Sequence, residues 1–151
     1  MPRRRGRIIN ITSQAGAYRW PALSACSVSK AAMIKLTQNL AIEASRHGIS
    51  VFSIHPGLLP IGLAETALRP DAPPGTHHAR VHAWARGERT AGRGAEPGPA
   101  IEQICRLTTG RYDELSGRHV CVHDDLEEIL RHIHHVRDSE LCLLAMHRIA
   151  V

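Results

Sequence analysis

The chain is poor in aromatic side chains: Trp20, Trp84, Tyr18, Tyr112 and Phe52 are all that its 151 residues contain. A core must therefore be assembled from Ile, Leu, Val and Ala, and a length of this order makes one domain with room for such a core. Lysine is also scarce, Lys30 and Lys35 being the only two, so the net charge of +5 is carried by arginine. The arginines are scattered and have no aromatics interleaved with them, which speaks against a nucleic-acid surface. Arg3-Arg4-Arg5 reads as a solvated turn leading into a strand. No apolar run approaches the roughly 20 residues of a membrane span, and the start Met1-Pro2-Arg3-Arg4-Arg5 lacks the apolar stretch of a signal peptide. The four cysteines, Cys26, Cys105, Cys121 and Cys142, form no CxxC pair and no disulfide-scaffold spacing. The expectation is a cytoplasmic protein with reduced thiols, and with neither a nucleic-acid nor a membrane partner. There are no internal repeats, and no G-x-x-x-G-x-G run of the kind that cradles a dinucleotide pyrophosphate occurs anywhere.

What is present is alternation of strand and helix. Residues 7–13 are a short β-branched run closed by Thr12-Ser13 and Gly16, the pattern of a strand buried on both faces. From 24 to 46, Val28, Ala31, Ala32, Ile34, Leu36, Leu40, Ala41 and Ala44 recur at helical spacing, and His47-Gly48 is a stop signal. Residues 49–54 form a second strand, broken by Pro56-Gly57. Strand, helix and strand over this length make a βαβ unit with parallel strands and a right-handed crossover. Between 65 and 99 the apolar spacing is lost apart from a possible short helix at 79–86, and composition favours a loose segment. Residues 100–107 look helical, 119–122 make a third strand, and Asp124-Asp125 is positioned to cap a final helix from 126 to about 137. A further helical stretch is predicted through 141–149, making 125–149 a helical C-terminal region.

In a doubly wound sheet, ligands sit beyond the carboxyl ends of the strands. Ser13 and Pro56-Gly57 both fall there, and residues 26 and 30 lie one turn apart on the same face of a helix. The segments Gly6-Arg7-Ile8-Ile9-Asn10-Ile11-Thr12-Ser13, Ser29-Lys30-Ala31-Ala32 and His55-Pro56-Gly57 together resemble the short-chain dehydrogenase/reductase family. The resemblance implies an α/β fold, specifically the C-terminal three strands and flanking helices of a Rossmann-like doubly wound parallel sheet, spanning 1–151. It also implies hydride transfer between NAD or NADP and a small alcohol or carbonyl substrate. By the same resemblance, Ser13 hydrogen-bonds the substrate oxygen. Lys30 binds the nicotinamide ribose and, as a nearby cation, favours the ionised form of the acid/base. Pro56, Gly57 and Leu59 pack against the nicotinamide. In this family, too, the segment at 65–99 covers the substrate and orders on binding.

The departures are as informative. Four residues before Lys30, where the family places its catalytic tyrosine, stands Cys26. A phenol reaches several ångströms farther from the backbone than a thiol, and loss of a positioned acid/base removes about 10²–10⁴ in rate. Cys26 reads better as a small filler than as a nucleophile. Tyr18 is the nearest phenol but belongs to the loop after Ser13, and Ile61 stands where the family usually has a threonine for the nicotinamide carboxamide. The family's N-terminal nucleotide-binding half, with its glycine-rich turn, has no counterpart in these residues, so Met1 is open to question as the true start. The chain is therefore expected to be inactive by itself.

Without that half, the strand at 7–13 would be a bare apolar edge and the fold only marginally stable. The alternative function is a non-catalytic association module that pairs through the 28–46 helix with itself or with a full-length relative. His119, Cys121 and His123 alternate on one strand face but match no common zinc spacing, so no metal is expected. His77-His78 and His132, His134 and His135 read as exposed polar positions.

Overall fold

The computed structural model describes residues 5–20, 22–62, 64–65, 73–92 and 96–145. It is an α/β unit in which three parallel strands are flanked by helices. β1 (Gly6–Ile11) leads through a 3-10 turn (Gln14–Gly16) to helix α1 (Ser24–Ser45), which returns the chain to β2 (Ile49–His55). Then follow α2 (His77–Thr90), α3 (Pro97–Thr108), a second 3-10 turn (Asp113–Leu115), β3 (His119–Cys121), α4 (Leu126–Arg131) and α5 (Ile133–Asp138). The strand order is β1-β2-β3. Gly6 pairs with Ile49 and Ile11 with Ile54, while Ser53 pairs with His119 and His55 with Cys121.

The central strand carries two cores because side chains alternate across a sheet. Phe52 and Ile54 point into one layer with Leu107, Tyr112, Leu115, Val120, Leu126 and Ile133. Val51 points the other way, onto Ala41 and Ala44 of α1. Small side chains on α1 bring that helix close to the sheet, and Asn10 Nδ2 donates to Thr37 Oγ1 at 2.9 Å to fasten it to β1.

β1 departs from the expectation of a strand buried on both faces. Ile8 is 38% and Ile11 44% exposed. The reason is its position: β1 is the outer strand, with β2 on one side and no strand of the described residues on the other. β1 also ends at Ile11, although Thr12 N–H still donates to Ile54 O at 2.8 Å.

The segment at 65–99 holds more order than its composition suggests. Residues 63, 66–72 and 93–95 lie outside the described residues, but α2 runs for 14 residues, longer than the 79–86 stretch read from periodicity. Thr76 Oγ1 caps it by accepting from Ala79 N–H at 3.1 Å. Likewise α3 starts at Pro97, a residue tolerated in a first helical turn because its missing N–H would have no helical partner there.

The C-terminal helical region also needs correction. Asp125 caps α4 by accepting from the Glu127 and Glu128 N–H groups, but the helix breaks at His132 and α5 ends at Asp138. Residues 139–145 are turns instead of helix, and 146–149 lie outside the described residues. The cause is capture by the sheet and its neighbours. His119 N–H donates to Cys142 O at 2.8 Å, and Arg118 Nη1 donates to Leu141 O at 2.8 Å. β3 is one residue shorter than 119–122, ending at Cys121.

Candidate active site

Ser13 follows directly on the end of β1. Its backbone is extended, and its Oγ accepts from Ala15 N–H at 3.2 Å, which caps the 3-10 turn. The hydroxyl oxygen is thus occupied as an acceptor while its own proton stays available to a neighbouring oxygen. Three residues on, Gly16 lies against the backbone of α1. A Cβ added there would come within 2.6 Å of the Lys30 carbonyl carbon and the Ala31 nitrogen. That close approach puts the Ser13 turn directly on the turn of α1 that carries Lys30. Lys30 Nζ in turn donates to Ile11 O at 3.1 Å, the last residue of β1. The two residues singled out from the motif therefore meet at one corner where strand, turn and helix join.

Cys26 is half-buried, one helical turn before Lys30. Its carbonyl accepts from Ser29 Oγ at 2.8 Å. Pro56, Gly57 and Leu59 leave the end of β2 half-buried, with Gly57 at φ +86°. No hydrogen bond among the described residues joins 56–59 to Ser13 or Lys30. Ile61 and Tyr18 are both exposed.

A second group of polar side chains lies on the other side of Ser13, at the carboxyl ends of β2 and β3. His119 Nδ1 is within 3.1 Å of Thr12 Oγ1 and 3.2 Å of Ser53 Oγ. Burial holds the His119 imidazole below its ordinary pKa. Burial, reinforced by His119 and His123, lowers His55 to about 4. Both rings are therefore neutral near pH 7. The His55 Nδ1 and His119 Nε2 atoms are buried without a hydrogen-bond partner. Cys121 Sγ accepts from Gln14 Nε2 at 3.4 Å, and burial raises the thiols of Cys121 and Cys142. A cavity of about 450 Å³ is lined here by Gln14, Tyr18, His119, Cys121 and Asp124 among others, and by none of Ser13, Cys26 or Lys30. No group of three or more His, Cys, Asp or Glu side chains among the described residues is arranged to hold a metal. Alternation placed His119 and Cys121 on one strand, but the Thr12–His119–Ser53 contacts carry no local sequence signal because they join three strand ends.

Residues 1–70 match the family model described as short chain dehydrogenase. A sorbitol dehydrogenase of Cereibacter sphaeroides is 43% identical over 56 residues, which are 37% of this chain and 22% of that protein. The short chain dehydrogenase mpl6 of Monascus purpureus is 27% identical over 123 residues, 82% of this chain and 36% of that one. Among solved structures, an actinorhodin polyketide ketoreductase with NADPH superposes with a TM-score of 0.66 at 22% identity, over 80% of this chain and 46% of that chain. At that identity the likeness is one of fold. The chain spans less than half the length of each of these three proteins. Its strands and flanking helices are part of the Rossmann-like fold that they share. The chain is a short-chain dehydrogenase/reductase family fragment.

Proposed function

We propose that this chain is the C-terminal half of an NAD- or NADP-dependent short-chain oxidoreductase, carrying the nicotinamide-and-substrate corner of the site and inactive without the rest. The observation that carries the reading is the seating of Gly16 on the Lys30–Ala31 backbone together with the Lys30–Ile11 contact. These contacts hold a strand-end hydroxyl and a helix ammonium at one corner, where doubly wound sheets bind ligands.

The fit to a dinucleotide is partial. Lys30 is the cation available for the nicotinamide ribose, and the left-handed turn at Gly57 after β2 suits a flat ring laid against residues 56–59. For the pyrophosphate, the 151 residues contain no glycine-rich turn at a helix start. When bound, the nicotinamide supplies or accepts the hydride. Ser13 would donate its proton to the substrate oxygen, since its lone pair already serves Ala15 N–H. Lys30 would hold the ribose. Cys26 occupies the acid/base position with a side chain too short to reach that oxygen, so proton transfer has no residue to perform it. The substrate belongs to the class of small carbonyl or alcohol compounds.

The test is titration of the purified chain with NADH and NADPH, followed by an assay of carbonyl reduction. Neither micromolar binding nor turnover is expected. Cys26→Tyr combined with a polypeptide supplying a family N-terminal half should restore activity, and turnover with Cys26 intact would overturn the assignment.

A second reading rests on the outer face of α1. Val28 and Ile42 are 70% and 77% exposed, and Leu36 is also exposed, so that helix is apolar away from the sheet as well as toward it. Association through this face, as a homo-oligomer or with a full-length relative, would make the chain a pairing module. Light scattering decides: a monomer at high micromolar concentration removes this reading.

A further inference from the structure

The chain has two tryptophans, and they meet each other. Trp20 lies on the loop between Ser13 and α1, Trp84 on α2, with ring centroids 4.4 Å apart at an interplanar angle of 83°. That is the edge-to-face arrangement aromatic rings prefer. α2 is otherwise held lightly: His82 and Ala85 are its only buried residues, and Gly87 interrupts its middle, where glycine weakens a helix. Just outside each end stands a glycine in the left-handed region, Gly75 at φ +80° and Gly92 at φ +70°, with no atom within 4 Å of where a side chain would begin. Backbone of this kind can absorb the rotation of a short helix moving as a body. Trp20, for its part, belongs to the turn that starts α1. Leu23 N–H donates to Trp20 O at 3.4 Å, and Ser27 N–H donates to Leu23 O at 2.8 Å. Cys26 lies within that first helical turn.

We propose that the Trp20–Trp84 contact is a latch: α2 opens and closes as a unit on the loop between Ser13 and α1, and its opening uncovers the first turn of α1 with Cys26. A helix with few buried residues, flexible flanks and one large apolar contact is a unit of low local stability, able to open without global unfolding. The latch stands apart from the dinucleotide reading, because neither its contact nor its test involves a nicotinamide.

The experiment uses the full chain and native-state hydrogen exchange read by mass spectrometry. In the unsubstituted protein, α2 amides should exchange faster than those of α1 and β2, at a rate that low urea hardly changes. Trp84→Ala should speed α2 exchange about tenfold, with Trp84→Phe in between. It should also abolish the tryptophan exciton couplet in circular dichroism, a signal to which no other residue contributes. Peptide-resolved alkylation with iodoacetamide should accelerate at Cys26 by a similar factor and stay unchanged at the exposed Cys105. Exchange of α2 only through global unfolding in the unsubstituted chain would overturn the proposal, whether or not the variants fold. So would unchanged α2 exchange or unchanged Cys26 alkylation in Trp84→Ala.

Discussion

Arg7 on the edge strand closes a two-bonded ion pair on Asp113, with Nε to Oδ1 at 2.8 Å and Nη2 to Oδ2 at 2.6 Å. The pair fastens β1 to the 3-10 turn before β3, across the layer that contains Phe52 and Ile54. The planar fork of arginine matches a carboxylate in this way and lysine cannot. Both side chains are partly open to solvent, which limits what the pair is worth. Asp113→Asn is expected to lower unfolding stability in urea by about 0.5–1 kcal/mol, with the difference shrinking as salt rises. A loss that is independent of salt would mean that packing, not charge, is at stake.

A second ionic cluster makes a pH-dependent contribution. Arg111 donates twice to Glu127, each bond 2.7 Å, the Tyr112 hydroxyl donates to Glu127 Oε1 at 2.5 Å, and Arg106 Nη2 donates to the Tyr112 oxygen at 2.7 Å. The Arg111 hydrogen bonds, then that of Tyr112, hold the Glu127 carboxyl at about 2, against 4.5 for an unperturbed glutamate. A carboxyl depressed in the folded state stabilises above its unfolded pKa and loses that contribution as pH falls through the folded one. The urea midpoint should therefore drop between about pH 4.5 and 2, and Glu127→Gln should remove that part of the slope. Equal slopes in the two proteins would refute the assignment.

His55 acts over a higher range. Its folded pKa of about 4 lies below the ordinary 6.5, so the unfolded chain binds a proton that the folded one refuses. Stability is then expected to fall as pH decreases from 6.5 towards 4 and to level off below. His119 contributes in the same direction. Replacing His55 with Gln should flatten this limb while leaving the one below pH 4.5 in place. Proton NMR of the imidazoles provides the check, because a His55 ring titrating near 6.5 would exclude the effect.

The contact between the Ser13 turn and α1 leaves no room for a side chain at position 16. Gly16→Ala places a methyl 2.6 Å from backbone atoms of residues 30 and 31, which are fixed by the helix. Relief requires the turn to shift, at a cost of about 1–3 kcal/mol. Thermal unfolding measures it, and a variant as stable as the parent would show that the turn is free to move.

The βαβ reading came from patterns that are local: β-branched runs at 7–11 and 49–54, helical spacing between them, and glycine as punctuation. These sufficed for an α/β fold with a parallel sheet, because each feature reports on a few consecutive residues. What escaped was non-local. The exposure of Ile8 and Ile11 depends on which strand is outermost, and the end of α5 depends on β3 capturing Cys142. α2 was underread because its buried side consists of only His82 and Ala85, too little to mark a periodicity, although Thr76 offered a capping signal. At the site, the motifs singled out Ser13 and Lys30, whereas the contact that joins them runs through Gly16, which has no side chain to advertise it.

β2 gives the site a dependence that distance would not suggest. Val51 faces the thin layer of alanines that seats α1, and its neighbour Phe52 faces the larger cluster with Leu107 and Leu126. The thin layer has too little apolar area to persist alone. The orientation of Lys30 is therefore set at one remove by packing on the opposite face of the sheet. A cavity opened at Leu107 would be transmitted through a single strand to the corner where Ser13 meets α1. The corner and the far core thus form one cooperative unit, and a lesion in either should register as a change in both.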